Sequence, residues 1–256
     1  MAMTTLAVRR RTLRRDIWWL EPVATLLGLI LFVAYSLVAG TSTTGYFAEP
    51  YLSPFVSPCI AANCETLTFG APLLGAFWPP AFFVVWIPVA FRATCYFLRR
   101  SYYRAFFWSP PACAVPDARA RYGGETRFPF VLQNMHRYTW YLAAALLAVN
   151  AYDAILAYRF PTGIGVGLGS VLMTADVVFL GLYVFSCHSC RYLCGGYLDR
   201  FKDAPVRYRL WATVNRLNAR HGLFFWLSIG CVVLTDLYIR LLAGGAIGDP
   251  RFVFGS

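Results

Sequence analysis

Five apolar runs dominate this chain, at about Ile17 to Ala39, Leu74 to Leu98, Tyr138 to Tyr158, Gly165 to Cys187 and Gly222 to Ala243. Roughly 20 apolar residues in helical form cross a hydrocarbon core, and inside that core only a helix or a closed barrel satisfies its own backbone. A barrel would read as short alternating segments instead. Of the 256 residues, 59% are hydrophobic and 14% charged, too apolar a composition for a soluble domain of this length. The expected fold is an all-α integral membrane protein: one membrane domain over residues 1–256, a bundle of five transmembrane helices.

Basic residues set the orientation, because cytoplasmic flanks collect Arg and Lys. Nineteen of the 23 fall on one side: five between Arg9 and Arg15, seven between Arg99 and Arg137, and seven between Arg191 and Arg220. The other side holds Arg159, Arg240 and Arg251, and Arg92 lies inside the second run. The N-terminus is thus expected in the cytoplasm and the C-terminus outside, in a multi-pass protein of the plasma membrane. The Arg-rich start followed by an apolar run is reminiscent of a signal peptide. That run exceeds 20 residues and has no clear cleavage site, so it is expected to remain as the first helix. The net charge of +11 sits in loops with no nucleic-acid-binding motif. Anionic membrane lipids and a cytoplasmic protein are the expected partners, not nucleic acid.

The external loop, residues 40–73, lacks Lys and Arg and is rich in Pro, Ser, Thr and aromatic residues, which predicts packing against the membrane. Its Cys59 and Cys64 face the oxidising side, where a disulfide or two free thiols fit equally. The cytoplasmic loop 99–137 contains Pro110-Pro111, Pro116, Gly123-Gly124 and Pro129, which forbid one continuous helix and predict an irregular cap. The second cytoplasmic loop, 188–221, mixes Tyr192, Tyr197, Phe201, Tyr208 and Trp211 with basic residues at amphipathic spacing. Together the two loops form a basic, aromatic docking face.

All three histidines sit at the cytoplasmic ends of runs: His136 before the third, His188 after the fourth, His221 at the start of the fifth. Beside His188 runs Cys187-His188-Ser189-Cys190. Consecutive membrane helices are antiparallel, so these ends share one depth and can converge. If the fourth helix continues through its end, about 100° per residue puts Cys187 and Cys190 within about 60° of one another, with His188 turned away. Cys187, Cys190, His136 and His221 then form a donor set for a tetrahedral zinc or a Rieske-type [2Fe-2S] cluster. A structural zinc staples small domains that lack a core, which this bundle does not, so redox use is favoured. A b-type haem held by two histidines is the competing cofactor, although it leaves the CxxC pair without a task. Taken singly, each of these residues reads as an ordinary apolar cysteine or interfacial histidine; their shared level singles them out.

Asp153, Asp176 and Asp236 lie within runs, where a carboxylate costs about 2.5–3.5 kcal/mol on insertion scales and tends to have a partner or a task. Asp236 with Arg240, at i, i+4, and Asp153 with Arg159 are expected structural pairs. Asp176 has neither and sits near mid-membrane, roughly 16 Å along the helix from Cys187. It suits a proton route, a contact to a quinone carbonyl, or a neutral core position.

The blocks Met135-His136-Arg137-Tyr138-Thr139-Trp140-Tyr141, Ser186-Cys187-His188-Ser189-Cys190-Arg191 and Arg216-Leu217-Asn218-Ala219-Arg220-His221 resemble a known family. The chain is similar to the membrane-anchor subunit of succinate dehydrogenase (respiratory complex II). The closer resemblance is to the actinobacterial five-helix class whose anchor carries a membrane-embedded Rieske-type [2Fe-2S] cluster. It runs from the first span to the Asp249-Pro250-Arg251-Phe252 tail. It implies a complex in which a flavoprotein subunit oxidises succinate, an iron-sulfur subunit relays electrons, and the anchor passes them to a quinone, menaquinone or ubiquinone. On this resemblance His136, Cys187, Cys190 and His221 match the cluster positions, with His188 the alternate ligand. Depth in the membrane makes Tyr96, Trp140, Asp176 and Tyr183 the candidates for quinone contacts. The rivals are a haem b-bearing anchor and a proton-coupled transporter, for which Gly163, Gly165, Gly167 and Gly169 could break a helix.

Overall fold

The structure, a computed structural model, describes residues 12–42, 44–57, 84–118, 130–196 and 198–254. In chain order the elements are α1 (Leu20–Thr41), β1 (Phe47–Ala48), β2 (Tyr51–Leu52), α2 (Trp86–Ala93), α3 (Tyr96–Ala105) and α4 (His136–Leu156). There follow β3 (Arg159–Phe160), β4 (Gly163–Gly167), α5 (Leu168–Phe185), α6 (His188–Gly195), α7 (Pro205–Asn218), α8 (His221–Ala243) and β5 (Arg251–Phe254). Helices α1, α4, α5 and α8 are each long and apolar enough to cross a membrane. Apolar side chains such as Leu31 and Val38 stand on the outer surface, where lipid rather than water suits them.

The remaining apolar run is described only from residue 84 onward. There it is not one helix: α2 ends at Ala93, Cys95 is extended, and α3 restarts at Tyr96 and carries on past Arg99 and Arg100. Cys59, Cys64 and residues 119–129 of the cytoplasmic cap lie outside the described residues.

Helix α5 packs chiefly on α8 and α4, α2 lies along α4, α1 touches α3 and α8, and the short α6 packs on α7. One core cluster occupies the α2, α5 and α8 interface around Phe91, Tyr183 and Phe225. A second lies at the far end around Tyr51, Met173 and Ile239.

The glycine run is not a helix. Residues Gly163–Gly167 form the middle strand of a three-stranded antiparallel sheet between β3 and β5, so α5 begins at Leu168 rather than Gly165. Strand order follows from close approach: a Cβ on Gly165 would meet the Phe252 carbonyl at 2.7 Å. A Cβ on Gly169 would meet the Tyr51 ring at 2.6 Å. The small sheet and the β1–β2 hairpin qualify the all-helical expectation at this end of the molecule.

Two buried carboxylates hold that end. Asp236 pairs with Arg240 at 2.7 Å, as expected, and also accepts from Tyr35 at 2.5 Å and from Ser53. Asp153 accepts from Ser57 rather than pairing with Arg159, which is exposed on β3 because the strand turns its side chain outward.

Candidate metal centre

Two backbone breaks build the site. Helix α5 stops at Phe185, and Cys187 is extended (φ −65°, ψ 149°) before α6 restarts. Asn218 of α7 fixes the break by donating to the Ser186 carbonyl at 2.7 Å. The second break leaves Cys95 extended (φ −62°, ψ 119°) between α2 and α3. Each break turns a cysteine into the bundle that a continuous helix would carry past.

Histidines from the first turns of α4 and α8 meet these sulfurs. His136 Nε2 stands 2.9 Å from Cys187 Sγ, and His221 Nε2 stands 3.5 Å from Cys95 Sγ. All four residues are buried. Phe91 stacks on the His136 ring with centroids 4.7 Å apart, and Tyr183 stacks on the His221 ring at 4.8 Å. These two aromatics meet edge to face at 5.4 Å, joining the pairs into one block.

Hydrogen bonding assigns the tautomers. The Thr94 hydroxyl donates its proton to the Ala90 carbonyl at 2.6 Å, and its oxygen lies 3.1 Å from His136 Nδ1. With that proton engaged, the hydroxyl can only accept, so Nδ1 carries the hydrogen and Nε2 presents a lone pair to Cys187. Ser186 takes the matching place at His221: its hydroxyl lies 2.7 Å from Nδ1 and 3.2 Å from the Tyr183 carbonyl, so when it donates to the carbonyl it accepts from Nδ1 and Nε2 is bare towards Cys95. A hydroxyl or carbonyl that fixes the far nitrogen is how ligating histidines are oriented. Cys187 also caps α6, accepting the Ser189 N–H at 3.4 Å, which offsets only part of the upward push that burial puts on its thiol.

Among the described residues, no three His, Cys, Asp or Glu side chains close on one point as ligands of a single ion do. The donors stand as two His–Cys pairs. A tetrahedral zinc would gather all four at one centre, and a Rieske-type cluster holds both histidines on one iron and both cysteines on the other, so the two mixed His–Cys pairs match neither arrangement as they stand. The donor set fits the cluster in type and number.

The structure brings His136, Cys187 and His221 together but seats Cys95, not Cys190, with them. The helical continuation that would have aligned Cys187 and Cys190 does not exist. Cys190 lies on α6 against the Cys194 thiol, and burial first, then that neighbour, pushes its thiol up to about 12. His188 is exposed on α6 and lies 2.9 Å from an Arg191 guanidinium nitrogen; partial burial and then that charge lower its pKa, keeping it neutral. Cys95 carried a sequence signal of its own, since it lies at the cytoplasmic end of the second run, level with the histidines.

A model of the actinobacterial succinate dehydrogenase subunit SdhC matches residues 20–245. The chain belongs to this family. Among solved structures it is similar to a chain of the Mycobacterium smegmatis Sdh1 complex in the apo form, with 45% identity, a TM-score of 0.87, and 99% of this chain and 98% of that one covered. No curated protein matches it at a significant level. The SdhC-family chain is therefore the membrane-integral anchor of a succinate dehydrogenase, and its activity is that of a subunit of a succinate:quinone oxidoreductase.

Beside the four donors lies a cavity of about 100 Å³ whose near end carries Arg92 and Tyr183 and whose far end reaches Ser57 and Asn150. Of the four sequence-derived quinone candidates only Tyr183 lines it. Tyr96 is exposed beneath the Arg99 guanidinium, and Trp140 donates its indole N–H to the Val184 carbonyl at 2.9 Å. Asp176 lines a smaller, neighbouring cavity. On the face beyond the donors, α7 exposes Arg209 and Arg216, with Arg220 just after it.

Proposed function

We propose that this SdhC-family chain holds a Rieske-type [2Fe-2S] cluster on Cys95, Cys187, His136 and His221 and passes electrons from the iron-sulfur subunit to a quinone in the cavity next to Tyr183. The observation that carries this reading is the pair of hydroxyl-fixed histidines, each with a bare Nε2 against a buried cysteine at one end of the bundle. When bound, the cluster supplies a one-electron carrier whose histidine ligands raise its potential.

The chain's own residues do the rest. Thr94 and Ser186 hold the two imidazoles in the ligating tautomer, and Phe91 and Tyr183 clamp the ring planes. The apolar wall of Phe32, Leu147, Val184 and Val232 keeps water from the cavity, which suits an apolar quinone ring, while Arg92 and Tyr183 offer polar contacts at its inner end. A quinone there lies against the ring that stacks on His221. Counting the run that contains α2 as a span gives five membrane helices, and the Arg and Lys distribution puts the donors at the cytoplasmic side of the plasma membrane. The basic α7 and the flanking Arg220 then face the iron-sulfur and flavoprotein subunits.

The haem alternative lacks such support, because each histidine Nε2 faces a sulfur rather than a second imidazole across a porphyrin-wide gap. The test is a low-temperature EPR spectrum of the dithionite-reduced complex, with iron, zinc and haem quantified on the same sample. A reduced [2Fe-2S] signal of Rieske type without haem bands is expected; haem bands, or iron no higher than the iron-sulfur subunit accounts for, would overturn the reading.

A further inference from the structure

Four of the buried polar atoms without a hydrogen-bond partner in the described residues lie on one path: Asp176 Oδ1, Asn150 Oδ1, Arg92 Nε and Tyr183 Oη. Arg92 and Asn150 mark the two ends of the larger cavity. Asn150 and Ser57 also line the smaller cavity of about 10 Å³, which Asp153 and Asp176 share. The two spaces therefore meet at Asn150 and Ser57. A volume of about 10–15 Å³ with several polar walls is what one buried water needs, and orphaned buried polar atoms are where such waters sit.

The placement has a direction. Asp176 is the ninth residue of the 18-residue α5, and Asp153 lies three residues before the end of α4 remote from His136. The polar groups thus lead from the membrane face opposite the donors, through the middle, to the cavity beside Tyr183. The groups that face Asp176 from the elements around it are Arg92 of α2, Asp153 of α4 and Cys231 of α8; Asp236, lower on α8, is already held by Arg240, Tyr35 and Ser53. A carboxylate that is 2% exposed, with an unpartnered oxygen on a water-sized space lined by other polar groups, is suited to taking up and releasing a proton.

We propose that Asp176, with Asn150 and Asp153, conducts protons through buried water from the external face to the quinone cavity. The proposal rests on the function proposed above. Succinate oxidation to fumarate releases two electrons and two protons at the flavoprotein on the cytoplasmic side. Quinone reduction to quinol takes up those two electrons by way of this chain's metal centre and two protons by way of Asp176. Electrons and protons then reach the quinone from opposite sides, and turnover moves charge across the membrane.

The test uses the whole complex in liposomes with a pH dye in the lumen, valinomycin with potassium to discharge the membrane potential, and a short-chain naphthoquinone. Succinate added outside does not cross the bilayer, so only complexes with the succinate site outward turn over. The lumen is expected to become alkaline by up to two protons per succinate. Asp176→Asn should abolish this and slow quinone reduction about a hundredfold, the loss typical of a missing proton-transfer group, while ferricyanide-linked succinate oxidation by the partner subunits persists. Asn150→Leu, which cannot titrate and closes the junction of the cavities, should lower lumen alkalinisation as well, and serves if Asp176→Asn fails to assemble. Quinone reduction with an unchanged lumen pH, or alkalinisation that survives either substitution, would overturn the proton path and leave the electron path standing. A wild-type complex that oxidises succinate with ferricyanide but reduces no quinone would instead overturn the function on which the path rests.

Discussion

At the residue scale the decisive groups are two cysteines in extended backbone and two hydroxyls behind two imidazoles. Cys95→Ser and Cys187→Ser are each expected to remove the Rieske-type EPR signal, whereas Cys190→Ser and Cys194→Ser should retain it. A lost signal in Cys190→Ser with a retained one in Cys95→Ser would return the ligand set to the CxxC pair. Thr94→Val and Ser186→Ala keep every metal donor but release the tautomers of His136 and His221, so retention of iron under chelator challenge should fall by about 10- to 100-fold. His136, Cys187 and His221 were legible because polar residues at the ends of apolar runs are few. The level of Cys95 was legible, but its direction was not, because in a run read as one helix a cysteine is an ordinary apolar residue, and only the break at Thr94–Cys95 turns it inward.

At the scale of elements, the end of the bundle remote from the donors is held by polar anchors rather than by helix packing alone. Asp236 gathers Arg240 from its own helix, Tyr35 from α1 and Ser53 from the loop after β2. Asp236→Ala leaves the Arg240 guanidinium without its buried carboxylate and is expected to cost about 3–5 kcal/mol, read as a lower melting temperature of the detergent-solubilised complex. An unchanged melting temperature would mean that the contacts of Arg240 with Ala39, Ser42 and Thr44 suffice. Gly165→Val drives a side chain into the β5 backbone and should destabilise by about 1–3 kcal/mol, with increased proteolysis of the C-terminal tail as its readout. Helices α1, α4 and α8 were legible to within a few residues from apolar length. The strand at Gly163–Gly167 was not, since its partner β5 lies more than 80 residues away in sequence.

At the scale of the molecule, the membrane spans, the proposed metal centre and the proposed docking face are stacked along one axis. The four donors lie at one end of the bundle, the cavity runs inward from them, and exposed arginines crowd the same end. Reversing Arg209 and Arg216 together to Glu is expected to leave the anchor inserted and metal-loaded but to weaken its hold on the cytoplasmic subunits. Gel filtration at rising salt should then release those subunits from the variant at lower ionic strength than from the wild type, because exposed charges are screened within about 8–10 Å at physiological salt. Equal salt resistance would move the docking surface elsewhere.

The sequence by itself determined the solvent, four of the five expected membrane helices, the loops that carry the charge and the level at which the histidines sit. Those properties follow from composition and from segment length, which act residue by residue. Only the tertiary structure decided which sulfurs face the histidines, which nitrogens are bare, and that Asp176 opens on a cavity. Each of these depends on backbone breaks held by contacts distant in sequence, such as Asn218 on the Ser186 carbonyl, and local periodicity carries no trace of them.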